Sequence, residues 1–141
     1  MTRVDFYLLT RPGPASKESF ACKLTNKAFR LGHQIYVLTA SAQHSRELDR
    51  FLWTFDAGSF IPHDVYSNNV NATLPVIIGH GEPPDTCHDI LISLVTDVPQ
   101  FFSRFDRVMD VVDSTEDDRT QARKRYRFYR ERGYELETHE L

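Results

Sequence analysis

Hydrophobic and polar positions along this chain fall into blocks of two alternating kinds. Short apolar runs recur at Val4–Leu9 (VDFYLL), Gln34–Leu38 (around IYVL), Val76–Ile78, Asp89–Val95 (DILISLV) and Val108–Val112. They are too short for helices and rich in β-branched and aromatic residues, so they predict buried strands. DILISLV is apolar on both faces, as an interior strand of a parallel sheet must be. Between the runs the pattern changes to helical spacing. From Ser16 to Leu31, Phe20, Leu24, Ala28 and Leu31 form one apolar face, and Gly32 ends it. Ser41 caps a second helix through about Trp53, with Leu48, Phe51 and Leu52 on its buried side. Pro99 opens a short helix through Phe105. Pro12, Gly13 and Pro14 stop the first strand, and a strand, a helix and a second strand then make a parallel crossover unit. The alternation predicts a three-layer α/β fold with a mostly parallel sheet.

Two stretches break the pattern. Asp56–Leu74 has no period and many turn formers, so it reads as a long connection, of the kind that is usually functional. It nevertheless carries an apolar cluster, Phe60, Ile61 and Pro62, which a water-facing loop does not need. The other is Glu116–Gly133, EDDRTQARKRYRFYRERG. Acids fill its first turn and bases the remainder, which complements the helix macrodipole; Ser114 or Thr115 is the expected N-cap and Gly133 the stop. Arg119, Arg123, Arg127 and Arg130 fall on one helical stripe, with Ala122, Tyr126 and Tyr129 on the adjacent one. A like-charged row repels itself unless it is reserved for an anion, and the planar arginine fork suits carboxylate or phosphate.

Composition narrows the classes. The chain has 141 residues, 40% hydrophobic and 26% charged, and is expected to form one domain over 1–141. No apolar run approaches the roughly 18 residues needed to cross a bilayer, and the N-terminus lacks a basic region followed by an apolar stretch; a cytoplasmic protein with no membrane association is expected. Cys22 and Cys87 are far apart and read as reduced thiols. The net charge of −3 argues against coating nucleic acid over the whole surface but permits a local anion site.

Catalytic chemistry finds little support. The loop Thr10–Ala15 has one glycine and two prolines and lacks both glycine-rich phosphate signatures, so no nucleotide cofactor is expected. His80, Cys87, His88 and Asp89 cluster in one Gly/Pro-rich loop, but at no metal-ligand spacing, and no metal is expected. No nucleophile elbow is present, and His33 and His63 read as surface or loop residues. What remains is two surfaces, a basic tyrosine-edged helix and an apolar loop, which suit a binding module better than an enzyme.

Five segments in register then carry a family resemblance: FYLL at Phe6–Leu9, LDRFLW at Leu48–Trp53, SFIPH at Ser59–His63, DILISL at Asp89–Leu94 and ARKRYRFYRERGYEL at Ala122–Leu136. In order and spacing they resemble the chi subunit of bacterial DNA polymerase III holoenzyme, over nearly the whole chain. The resemblance implies a Rossmann-like α/β sandwich that binds no nucleotide, and a non-catalytic adaptor in the clamp-loader assembly at replication forks. Two partners are implied: the psi subunit, and the acidic C-terminal tail of single-stranded DNA-binding protein, which ends in a phenylalanine bearing the free carboxylate. DNA is then met only indirectly, and the chain is expected to be monomeric on its own. Carried onto this sequence, the resemblance makes Arg123 the carboxylate clamp, with Arg119, Tyr126 and Arg127 around it and Trp53 and Val112 as apolar walls. Position 127 is often Lys in the family and is Arg here, which retains the charge. The loop around Phe60, Ile61 and Pro62 matches the psi-contacting region, with Phe60 as its anchor. The alternative is a module that binds single-stranded nucleic acid directly through the basic helix. An enzyme built on the same scaffold stands third.

Overall fold

A computed structural model of the chain describes residues 1–13, 16–56, 58, 60–67 and 73–141. Its centre is a seven-stranded sheet: β1 (Arg3–Leu8), β2 (Ile35–Leu38), β3 (His63–Val65), β4 (Val76–Gly79), β5 (Ile90–Ser93), β6 (Arg107–Val112) and β7 (Glu135–Glu140). The order is β3-β4-β2-β5-β6-β1-β7, and every neighbouring pair is parallel. The all-parallel arrangement follows from chemistry: β2, β4 and β5 are buried at every residue, so both faces need cover.

The cover comes from helices on opposite faces. Ile35, Val37, Ile78, Ile92, Met109 and Val111 point to the side holding α1 (Ser16–Arg30) and α2 (Ala42–Thr54). The alternate positions Tyr36, Leu38, Ile77, Leu91, Val108 and Val112 point to the side holding α3 (Glu116–Glu131) and a 3₁₀ turn, Phe102–Arg104. The chain is therefore an α/β Rossmann-like sandwich of three layers, as the strand and helix periods predict. No helix among the described residues is long and apolar enough to cross a membrane.

The structure departs from the sequence reading in five places. The connection 56–74 contains β3, an edge strand paired only to β4; three residues are too few to show a period. His63 within it is buried, its Nδ1 2.6 Å from the Ile61 carbonyl oxygen and its ring 4.1 Å from that of Trp53, so it is not a surface residue. The expected helix from Pro99 to Phe105 is a single 3₁₀ turn; Phe102 and Phe105 are both buried, and their three-residue spacing eclipses in that geometry. Leu31, assigned to the apolar face of the first helix, lies beyond its end and is 69% exposed. Finally β7 was not anticipated, because ELETHE is polar on both faces. Pro14, Ser59 and part of the loop 66–74 lie outside the described residues.

Charges tie this polar edge strand down. Asp5 of β1 is fully buried; it accepts from Arg107 Nε at 2.6 Å and from Arg3 at 3.3 Å, and lies 3.1 Å from Nε2 of His139 on β7. Arg3 also reaches Glu137 on β7, and the His139 ring stacks on Tyr7 at 4.6 Å. Burial pushes the Asp5 carboxyl up, but hydrogen bonds from Arg107 and His139 and the charges of Arg107 and Arg3 outweigh it and hold it below its ordinary 3.8.

The unfolded chain takes up the Asp5 proton more readily than the folded one, so the stabilisation is complete above the ordinary value and is lost as the pH falls through the folded one. Urea unfolding measured at descending pH below about 5 is expected to show a steeper loss for the wild type than for Asp5→Asn. Equal slopes would show that the cluster is not held as a carboxylate.

Candidate functional site

The helix α3 begins where its caps require. Thr115 Oγ1 accepts from the Asp118 amide at 3.2 Å, and Glu116, Asp117 and Asp118 occupy the first turn. Gly133, at φ +80°, takes the left-handed conformation just past the end. One stripe of the helix is buried: Asp118, Ala122, Arg125 and Tyr129. Arg125 lies in the middle of it and forms a two-pronged pair with Asp110 of β6, Nε to Oδ2 at 2.8 Å and Nη2 to Oδ1 at 2.9 Å; its Nη1 donates to the Thr96 carbonyl at 2.8 Å. Burial alone would lower the Arg125 pKa, but the hydrogen bond and charge of Asp110 raise it and keep the guanidinium ionised. Asp118 accepts from Lys17 of α1 at 3.2 Å and from the Asp113 amide at 2.8 Å, which clamps the first turn.

This buried stripe turns the adjacent one toward β1 and β7. Between them lies a groove of about 150 Å³, lined by Arg119, Ala122, Arg123 and Tyr126 of α3 with Phe6, Leu8 and Thr138. Tyr126 leans on Phe6 at 5.5 Å between ring centroids, so the floor is apolar. Arg119 donates through Nη2 to the Leu9 carbonyl at 3.0 Å, while its Nε–H is buried with no hydrogen-bond partner. Arg123 extends into solvent and holds Glu116 at 3.4 Å. Arg127 and Arg130 are exposed and form no ion pair among the described residues, but neither lines the groove.

Of the residues assigned to tail binding, then, Arg119, Arg123 and Tyr126 come together and Arg127 stands beside them. Trp53 and Val112 do not join. Trp53 sits on α2, on the opposite face of the sheet, where its ring packs against Phe60 at 5.5 Å and His63 at 4.1 Å. Val112 is 0% exposed in the core beneath α3 and offers no wall. The apolar walls are instead Phe6 and Leu8, which sequence reasoning placed only in a buried strand.

The second candidate surface is smaller than its sequence suggested. Phe60 is 70% exposed and Trp53 46%, and together they form an aromatic pair on the surface of the α2 side. Ile61 is 2% exposed and anchored in the core, and Pro62 is half-buried, so Phe60 is the residue of this cluster that stands out to solvent.

Other sites fit ligands less well. A cavity of about 600 Å³ lies outside the carboxyl ends of β2, β4 and β5, where α/β folds bind nucleotides. It presents the acids Glu82 and Asp97, and its Arg104 is already paired with Glu82 and Asp85. In the loop once considered for metal, Cys87 is buried while Asp89 receives the Gln34 amide and contacts His33 at 3.0 Å. Asp5, Glu137 and His139 do meet closely. Their oxygens are taken by Arg3 and Arg107, whose charges oppose a cation.

Comparison with known proteins identifies the family. A family model described as DNA polymerase III chi subunit, HolC, matches residues 1–137. Relatives called DNA polymerase III subunit chi include that of Pseudomonas aeruginosa, 42% identical over 141 residues, 100% of this chain and 98% of that one. The Escherichia coli relative is 31% identical over 98% of this chain and 97% of its own, and that of Haemophilus influenzae 30% over 95% and 94%. Among solved structures, that of T4 UvsW superposes with a TM-score of 0.69 over 99% of this chain and 42% of that chain at 8% identity, a likeness of fold alone.

Two expected outcomes follow from these placements. Removing one partner of the buried pair, as in Asp110→Asn, is expected to cost about 3–5 kcal/mol in urea unfolding because it strands a buried guanidinium; a cost under about 1 kcal/mol would show that water reaches the pair. In the second surface, Phe60→Ala should leave stability within about 0.5 kcal/mol, whereas Ile61→Ala should cost about 2–5 kcal/mol. Equal costs would contradict the division of that loop into an exposed ring and a core anchor.

Proposed function

This chain belongs to the DNA polymerase III chi subunit family, and we propose that it serves that assembly as a non-catalytic adaptor with two docking surfaces. The groove beside α3 receives the acidic C-terminal tail of single-stranded DNA-binding protein. The exposed Phe60 surface receives the psi subunit. DNA is engaged indirectly, through the tail.

The observation that carries this reading is the α3 groove itself. An apolar floor of Phe6, Leu8 and Ala122 suits a terminal phenylalanine ring, and Arg119 and Arg123 border it where a free carboxylate would lie. The Arg119 guanidinium is held at the edge of the groove by its bond to the Leu9 carbonyl, which orients it for an incoming carboxylate. Arg123 is held by Glu116 in an exposed pair, and such pairs contribute about 0–1 kcal/mol, so the tail displaces Glu116 at little cost. Arg127, exposed one turn along, offers a further cation to the acidic residues upstream of the ring. On the other face, an aromatic side chain held out on a short loop with Trp53 behind it is what a protein–protein anchor requires.

Titrating a fluorescent peptide that copies the acidic tail is expected to show saturable binding, weakened about tenfold or more by Arg123→Ala and by removal of the terminal phenylalanine. Glu116→Gln should bind more tightly than wild type, and added salt should weaken all of them. Binding that survives Arg123→Ala, or no binding by folded wild-type protein, would overturn the assignment of the groove. A bare oligonucleotide that binds as tightly as the peptide would favour direct nucleic-acid recognition.

A further inference from the structure

The two grooves that flank β1 and β7 lie on opposite faces of the sheet, and the one beside α1 has no role in the reading above. Here α1 packs over β6, and on the same face Tyr7 of β1 and His139 of β7 stay only partly covered beside it. The result is a groove of about 460 Å³ with an apolar floor of Tyr7, Phe20, Leu24 and Met109. Leu31, 69% exposed, forms one end of it. A second hollow of about 640 Å³ continues past Phe20 and Lys23 along the same helix toward Arg11.

Charge decides what such a groove can hold. Of the acids on this face, Asp5 and Glu137 are matched by Arg107, Arg3 and His139, Glu135 lies near Arg3, and Asp89 is in contact with His33. Lys23 and Lys27 line the groove, are exposed, and have no ion pair among the described residues. They stand four residues apart on α1, so their ammonium groups flank one side of the apolar floor. A solvated lysine face would not need the exposed Leu31 and the half-buried rings of Tyr7 and Phe20 between its charges. A single strand would need free ring faces to stack on, but Tyr7 is already stacked on His139 and packed against Phe20.

We infer that the α1 groove is a third docking surface, which takes an acidic amphipathic segment of a partner protein: apolar side chains on the floor, carboxylates on Lys23 and Lys27. It binds independently of the α3 groove and does not rest on the tail-binding reading. The occupant differs in chemistry, because this groove offers no arginine fork for a terminal carboxylate; its one arginine, Arg107, is committed to Asp5.

The test uses the whole chain and a capped probe. A peptide of about fourteen residues, built of Glu, Leu and Phe with apolar positions at helical spacing and both ends blocked, matches the length of α1 and lacks the free carboxylate that the α3 groove would recognise. Amide chemical shifts are followed by NMR on titration. Perturbations should cluster on Phe20–Leu31, Met109 and His139, and a Lys23→Glu/Lys27→Glu double variant should bind about tenfold or more weakly. Arg123→Ala should bind as wild type does. Both lysines are exposed, so the double variant is expected to fold, and its unperturbed spectrum checks that. Perturbations centred on α3, no saturable shifts at millimolar peptide, equal binding by the double variant, or equal binding of an oligothymidylate to the same residues would each overturn the proposal.

Discussion

The buried pair of Arg125 and Asp110 constrains everything the molecule presents on its α3 side. A guanidinium two-pronged on a carboxylate, with its third nitrogen on the Thr96 carbonyl, has one geometry, and both groups are 2% exposed. That geometry fixes the rotation of α3 about its axis. A helix whose surface is mostly basic could otherwise pack in several orientations, since its apolar stripe is only Ala122 and Tyr129 between charges. With Arg125 drawn inward, Arg119, Arg123 and Tyr126 face the sheet edge, and Arg127 and Arg130 face water. Such a pair is weak evidence for stability, because two desolvated charges offset much of their own attraction; its contribution here is to specify an orientation.

The same logic governs the sheet edge. A polar strand such as β7 has little apolar surface to hold it, and its place is set by parallel pairing to β1 and by the charges around Asp5. Once there, β7 is the outer wall of both grooves: Thr138 lines the α3 groove and His139 the α1 groove. An edge strand that looks dispensable by burial therefore shapes both candidate binding surfaces at this corner, while the aromatic surface of Phe60 and Trp53 lies on α2 and the loop that follows it.

Much of the fold was legible in the sequence because buried parallel strands and amphipathic helices leave strong local periods. VDFYLL, IYVL and DILISLV are strands, and the caps at Ser41 and Thr115 and the stop at Gly133 fall where their residue types place them. The losses were of two kinds. HDV and ELETHE are edge strands, paired on one side only, and neither is apolar enough or long enough to show a period. The walls of the α3 groove were not legible because they depend on pairing across the chain: Phe6 and Leu8 meet Tyr126 only after β1 has joined β6 and β7, whereas Trp53, an aromatic of suitable type, is carried to the other face. Arg125 could have been found. It lies on the Ala122–Tyr129 stripe, three residues from one and four from the other, and a lone arginine on an apolar stripe calls for a buried acid.

Three candidate recognition surfaces lie around one sheet, two basic grooves on opposite faces of its β7 corner and an aromatic knob on the α2 side. The central claim is that the rotation of α3, set from inside by Asp110, makes the α3 groove the receptor for a terminal phenylalanine carboxylate. The most direct measurement is a crystal structure of the chain with the acidic tail peptide bound. The account predicts the terminal carboxylate within hydrogen-bond distance of Arg119 or Arg123 and the ring against Phe6 and Leu8. A ring seated on Trp53 and Phe60, with the α3 groove empty, would contradict it.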